Sequence, residues 1–283
     1  MKNIVLPLKQ HVGAPCKAIV SEGESVKRGQ LIAVPGGLGA NIHASYSGTI
    51  TKVTDTDIHM AADDVQDFTT YVPIPEFQTN LEAIESAGVV GAGGAGFPTA
   101  VKLKTEIPNG VFIANAAECE PLLAHNIHQV ELHAAQLVRG IKYCMEITKA
   151  PKAYIAIKPK HRKAILALIK ETKDEPNIDV FRLPDMYPAG DERVIVREIM
   201  GIVLEPGQLP GAVGACIDNV ETIKHIAEAI EDRKPAIDKD LTVSGRVEQK
   251  ESVFVDVPIG TTARELIMKA GGYIKPYGEI VVG

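Results

Sequence analysis

One stretch of this chain is suited to close approach by a ligand. Gly91-Ala-Gly-Gly-Ala-Gly96 satisfies G-x-G-x-x-G, and glycines at that spacing let a backbone come near an anionic or planar group with its amides turned toward it. The pattern alone is a weak signal, since a glycine-rich turn packing a helix on a sheet reads the same. An ordinary dinucleotide fold places a substantial strand before such a loop; here a helix and the short Gly88-Val-Val90 lead in, so a standard Rossmann site fits poorly. Glu118 and Glu120 stand where two acids at a helix N-terminus would be favoured by the dipole. His125, His128 and His133 invite a metal, but only the first two can share a helix face, and a solvated face is the expectation. Cys119 lies between the two glutamates, whose charge raises a thiol pKa, so it reads as packing. With Cys16, Cys144 and Cys216 it shows no Cys-x-x-Cys spacing, which excludes a zinc ribbon or a local ferredoxin-type cluster. Buried free thiols are expected rather than a disulfide framework.

The elements that must position these residues follow from periodicity. The first seventy or so residues read as β, with short Val, Ile, Ala and Thr runs between turns such as Gly23-Glu24, Pro35-Gly36-Gly37 and Ser47-Gly48. Residues 81–87 read as a short helix with i, i+3 apolar spacing. Strands at 110–115, 153–157 and 178–183 alternate with helices at 122–148, 160–172 and 219–232, the pattern of a mostly parallel α/β sheet. A second β segment starts at Thr242, continues at 253–257 and precedes a helix at 262–270. The last residues, 279–283, read as a strand, and the chain reads as cut from a longer protein. The fold class is α/β, with domains over 1–76, 77–235 and 236–283.

Composition excludes several classes. The chain has 283 residues, 45% of them apolar, enough for sizeable cores. A net charge of −6 and the lack of a basic stripe argue against nucleic acid. The longest uncharged stretch, 86–101, is glycine-rich and shorter than the roughly 20 residues of a spanning helix. The N-terminus lacks an apolar run of signal-peptide length. A cytoplasmic protein without a membrane span is expected, with association to a membrane complex left open.

Longer segments carry a resemblance. Residues 20–32 and 43–53 resemble the strand pairs of a lipoyl-type barrel-sandwich hybrid, without a lysine between Gln30 and Ala44 to serve as a swinging arm. Gly91-Ala-Gly-Gly-Ala-Gly-Phe-Pro-Thr-Ala-Val-Lys102 resembles the flavin loop shared by the RnfC family and the NADH-oxidising flavoprotein subunit of respiratory complex I. Asn115-Ala-Ala-Glu-Cys-Glu-Pro121, Tyr187-Pro-Ala-Gly-Asp-Glu192 and Asn219-Val-Glu-Thr222 match further segments in the right order, with Pro210-Gly-Ala-Val-Gly214 leading into the last. The resemblance covers essentially the whole chain. It implies an N-terminal barrel-sandwich hybrid domain, a central Rossmann-like FMN/NADH-binding α/β domain and a C-terminal β-grasp (SLBB-like) segment.

The resemblance also implies roles. Gly91, Gly93 and Gly94 would lie against the isoalloxazine and ribityl chain, with Lys102 near the FMN phosphate or ribityl. Asn115 and Glu118 would sit at the flavin's polar edge, and Asn219 and Thr222 near its phosphate. Phe97, Glu120 and Glu192 match positions that hold the nicotinamide nucleotide, Phe97 by stacking. Tyr187 and Gly190 belong to the second pocket segment, which otherwise reads as a turn. The implied activity is hydride transfer from NADH to FMN, then one-electron transfer to an iron–sulfur or ferredoxin-type partner. No general base is named. Iron–sulfur cysteine motifs of the family lie beyond the β-grasp segment, in a region absent from this chain. Residues 6–16 resemble the version associated with proline reductase; the cobalamin-reductase version shares the Gly91 and Tyr187 motifs. One departure stands out: the complex I pattern has an aspartate where this chain has Ala117. The competing reading is a flavin-free docking scaffold of a redox complex. An ordinary Rossmann dehydrogenase would need a catalytic His or Tyr–Lys pair in a substrate domain, and none is evident.

Overall fold

A computed structural model describes residues 2–275 and 278–282. The chain forms two compact units: Met1–Ala100 with Glu228–Gly283, and Val101–Ala227.

The first unit opens with seven strands: β1 (Lys2–Pro7), β2 (Cys16–Ala18), β3 (Ser25–Val26), β4 (Leu31–Pro35), β5 (Ile42–His43), β6 (Gly48–Val53) and β7 (Asp57–Ala62). They make two antiparallel sheets, ordered β1-β7-β6-β3 and β2-β4-β5. Period-2 alternation decides which side chains go inside: Ile4 and Leu6 of β1, Ile50 of β6, and Ile58 and Met60 of β7 are fully buried in one core with Val26 and Ile32. Helix α1 (Asn80–Ala87) follows. Thr79 caps it by accepting from the Glu82 amide, and Gly88 ends it in the left-handed region.

The second unit contains β8 (Val111–Asn115), α3 (His125–Thr148), β9 (Lys152–Ile157), α4 (Arg162–Thr172), β10 (Ile178–Arg182), α5 (Glu192–Met200), β11 (Ala215–Asn219) and the start of α6 (Val220–Glu231); the short α2 (Thr99–Leu103) precedes it in the chain. The strands pair in parallel in the order β10-β9-β8-β11. By sequence that is a 3-2-1-4 order, whose direction reverses between β8 and β11, and in such sheets ligands bind outside the carboxyl ends of the strands at the reversal. Asn115 and Asn219, which end β8 and β11, are register partners there.

Several expectations need correction. The helix expected over 122–148 begins only at His125 and is broken at His133, whose backbone leaves the helical region (φ −127°, ψ 31°). Three elements escaped the pattern, the five-residue α2 among them. In α5 the consecutive β-branched Val194-Ile195-Val196 reads as strand, and β11 ends in Asp218-Asn219, residues disfavoured in strands.

The chain then returns to the first unit with β12 (Asp238–Ser244), β13 (Glu251–Pro258) and α7 (Ala263–Lys269), a bulged antiparallel pair followed by a helix with a Thr262–Glu265 capping box. β12 starts four residues earlier than expected because Asp238 and Asp240 are buried in it. Residues 279–282 form no strand, and Gly283 lies outside the described residues. No helix among the described residues is long and apolar enough to cross a membrane.

Asp238 tolerates burial because Arg28 forks onto both its oxygens at 2.8 and 2.6 Å, with side chains 3% and 2% exposed. Arg28 also donates to the Ser45 carbonyl, and Lys234 approaches Asp238 at 3.2 Å. This pair ties the last quarter of the chain to the first β strands. Removing Arg28 should cost up to about 3–5 kcal/mol, since the Lys234 ammonium at 3.2 Å offsets only part of what the buried carboxylate loses. Arg28→Met should therefore unfold at markedly lower urea, while Arg28→Met with Asp238→Leu should recover most of the loss. Equal losses in the single and double variants would show that the charge pair is not the reason.

Candidate functional site

Two of the sequence-selected segments meet at the reversal point of the sheet. Lys102 on α2 reaches the end of β11, where its Nζ donates to the Ile217 carbonyl at 2.8 Å and to Asp218 Oδ1 at 2.9 Å. An ammonium has three donors, so one remains for a ligand. Asp218 is 2% exposed, and its Oδ2 is buried without a partner. Desolvation pushes the Asp218 carboxyl up, against the attraction of Lys102. The same burial depresses the Lys102 ammonium, but the Asp218 charge and hydrogen bond outweigh it, and its pKa is raised. Glu192, at the start of α5, is raised by desolvation and pulled back by Lys102. Lys102 is thus the cation shared by two acids. Burial also drives the Cys144 and Cys216 thiols well above their usual range, so they are inert packing groups beside this pair.

The other selected residues of this unit divide by role. Asn115 ties the end of β8 to the loop before α5: its Nδ2 donates to the Gly190 carbonyl at 2.9 Å, and its Oδ1 accepts from the Ala117 amide at 3.0 Å. A Cβ on Gly190 would lie 2.5 Å from both the Ala117 carbonyl and Cys119 Sγ, so only glycine lets this loop close on the segment after β8. Gly190 N–H donates to that sulfur at 2.9 Å. Glu118 is buried and accepts from the backbone and side chain of Asn126 in the first turn of α3, where the dipole favours it. Desolvation nonetheless raises its carboxyl, with His125 opposing. Its Oε2 is buried without a partner. Asn219 Oδ1 accepts from the Glu221 amide and so starts α6. Thr222 is fully buried in α6, whereas Glu120 is exposed and Tyr187 is 68% exposed, preceding a cis peptide to Pro188. Asp218 is the residue that sequence reasoning missed. The signal was there, as a lone acid closing the apolar run Ala215-Cys-Ile.

The glycine loop belongs to the first unit. Val90 bridges Pro98, and the Gly91 amide donates to the Phe97 carbonyl at 2.9 Å. Gly93 and Gly94 have φ of 78° and 75°, and a Cβ on either would meet nothing within 4 Å. Their backbone is open to close approach, while their dihedrals exclude most side chains. Phe97 is 37% exposed.

Lys102→Met should leave Asp218 without its counter-charge in an apolar site, at a cost of about 3–5 kcal/mol near neutral pH. The folded carboxyl would then titrate further above its unfolded value of about 3.9, so the native state binds the extra proton and stability falls as pH rises through that window. Urea unfolding should show a smaller loss relative to wild type at pH 5 than at pH 8. A loss equal at both pH values would exonerate Asp218.

The chain is similar to known proteins along nearly its whole length. A sequence model of the Nuo51 FMN-binding domain matches residues 84–228, just over half the chain, and one of the RnfC barrel sandwich hybrid domain matches residues 1–70. Cobalamin reductase PduS of Salmonella typhimurium is 39% identical over 78% of this chain and 45% of the reductase. The RnfC-type component of the proton-translocating ferredoxin:NAD(+) oxidoreductase complex of Clostridium ljungdahlii is 33% identical over 99% of this chain and 65% of that component. The chain therefore spans 45% to 65% of the length of these two relatives. Among solved structures, an NAD+-reducing nickel–iron hydrogenase in the H2-reduced state superposes with a TM-score of 0.57 at 20% identity, covering 69% of this chain and 39% of that one; that likeness speaks for the fold. With the hybrid domain and the FMN-domain segment matched in one chain and in this order, the protein belongs to the RnfC-like family of electron-transfer flavoproteins.

Proposed function

We propose that this chain binds FMN and oxidises NADH, passing the electrons to an iron–sulfur or ferredoxin-type acceptor. The observation that carries the reading is the Lys102–Asp218 pair at the carboxyl ends of β8 and β11, with one ammonium donor left over. The residues present fit the cofactor. Two buried carboxylate oxygens, Glu118 Oε2 and Asp218 Oδ2, lack partners and can accept from the N–H edge of a heteroaromatic ring or the hydroxyls of a ribityl chain. Lys102 supplies positive charge for a phosphate; Gly91, Gly93 and Gly94, in the first unit, are assigned to the flavin ring by the resemblance alone. When bound, FMN supplies the exchange between two-electron and one-electron chemistry. The chain's own part is to hold and orient: Asn115 and Gly190 fix the loop carrying Glu192, and Phe97, Glu120, Tyr187 and Glu192 are assigned to the nicotinamide nucleotide. Asn219 and Thr222 are assigned to the phosphate end.

Ala117 speaks less for a flavin-free scaffold than its sequence position suggested. Its methyl is part of an apolar cluster with Leu183, Ala189 and Ile195, a place where an acid would be buried among hydrocarbon. The ββα segment after residue 236 is read as β-grasp in type. The family supports association with a membrane-bound complex, and residues 6–16 favour the proline-reductase type of acceptor system.

The test is a visible spectrum of the protein after adding FMN and removing the excess, followed by NADH without oxygen. Wild type should retain flavin bands that bleach, and Glu192→Ala should retain the bands but bleach at least about tenfold more slowly, the effect of one lost charge-assisted contact. Flavin that washes away entirely, with no NADH oxidised, would establish the docking scaffold instead.

A further inference from the structure

A buried polar cluster forms around the segment between β1 and β2. His11 is buried, with its Nε2 3.1 Å from the Ala40 amide and 3.3 Å from Cys16 Sγ, and its Nδ1 3.1 Å from the Val12 carbonyl. The tautomer follows from the partners. An amide N–H can only donate, so Nε2 is the acceptor and Nδ1 carries the proton that goes to Val12. The Cys16 thiol gives its own proton to the Ala40 carbonyl at 3.2 Å. The ring is also gripped sterically, since a Cβ on Gly39 would stand 2.6 Å from its Cε1.

The segment that His11 holds is fixed at both ends. Leu8 N–H donates to the Thr56 carbonyl, Cys16 N–H to the Leu8 carbonyl, and Ala14 N–H to the Leu38 carbonyl. Val12 is the residue in between, and it faces two ways: its carbonyl accepts from His11, and its N–H donates to the Ala95 carbonyl at 3.0 Å. Ala95 is inside the glycine loop. The next residue, Gly96, has φ of 64°, and a Cβ there would lie 3.3 Å from the Gln10 carbonyl and 3.4 Å from His11 Cα. All of these residues lie within the first unit.

We infer that His11 is a positioning residue for the glycine loop: it fixes Val12 so that the Val12 amide holds Ala95 and keeps the loop in its ligand-ready shape. A loop with glycines at 91, 93, 94 and 96 loses much backbone entropy on ordering. A tether that carries this cost before binding raises affinity without touching the ligand. The N-terminal domain, which lacks a swinging-arm lysine, thereby takes a role in cofactor binding; the identity of the ligand rests on the FMN reading.

The test uses the full chain. In wild type the Val12 amide should be protected from hydrogen exchange, and FMN should protect it further. His11→Ala should speed exchange of Val12 and of the peptide over residues 89–98 by about tenfold, the worth of one net hydrogen bond, and weaken FMN binding, read by flavin fluorescence quenching, by a similar factor. His11→Asn, whose side-chain amide can replace Nδ1–H toward Val12, should restore much of both. A merely structural role predicts lower melting temperature without this rescue. Unprotected Val12 in wild type, or a folded His11→Ala with unchanged loop exchange, would overturn the tether even where FMN still binds. Faster loop exchange in His11→Ala, rescued by His11→Asn, in a protein that binds no FMN would uphold the tether and remove the flavin as its ligand.

Discussion

The second unit is organised around an unfavourable placement, a carboxylate with 2% exposure at the end of the edge strand β11. Asp218 stays in place because Lys102 reaches it at 2.9 Å and also satisfies the neighbouring Ile217 carbonyl. Replacing such a pair with hydrocarbon is often neutral or stabilising, whereas breaking it is costly. Its use here is therefore positional. It pins α2 to the end of β11, at the point where the strand order reverses and a ligand crevice is expected. It also places a cation under the influence of two acids, Asp218 and Glu192.

The same device recurs in the first unit. Arg28 and Asp238, 210 residues apart, are buried as a forked pair; His11, Cys16 and Ala40 form a neutral cluster that sets the backbone at Val12. In each case a polar group in a low-dielectric setting has one acceptable arrangement, because an unmet donor or acceptor there costs more than a met one gains. Apolar packing supplies the cores, but it tolerates small slips that these groups do not. The glycine segments show the complementary limit: Gly190 is needed because Ala117 and Cys119 leave no room, Gly93 and Gly94 because their dihedrals suit few other residues.

Much of this was legible in the residues. Short β-branched runs between turn residues marked the first seventy residues as β, and the apolar runs at 110–115, 153–157 and 178–183 identified three of four parallel strands, observed at Val111–Asn115, Lys152–Ile157 and Ile178–Arg182. The fourth, β11, was hidden by Asp218 and Asn219, and α5 by its β-branched centre. The ordered motifs located the FMN-domain segment, which the family match at 84–228 bears out. Within those motifs spacing could not separate ligand-facing atoms from those used internally. Asn115 and Asn219 spend side-chain atoms on Ala117, Gly190 and Glu221 amides or carbonyls, and Glu118 spends one oxygen at the start of α3.

By itself, then, the sequence determined periodicity, turn chemistry and the family, because these depend on neighbours a few positions apart. Only the tertiary structure decided that Lys102 is held by Asp218, that Arg28 meets Asp238, and that Val12 reaches Ala95. Those pairs are 116, 210 and 83 positions apart. Such partners have no local signature. They are selected by the desolvation cost that each polar group faces once the sheets and helices have closed around it.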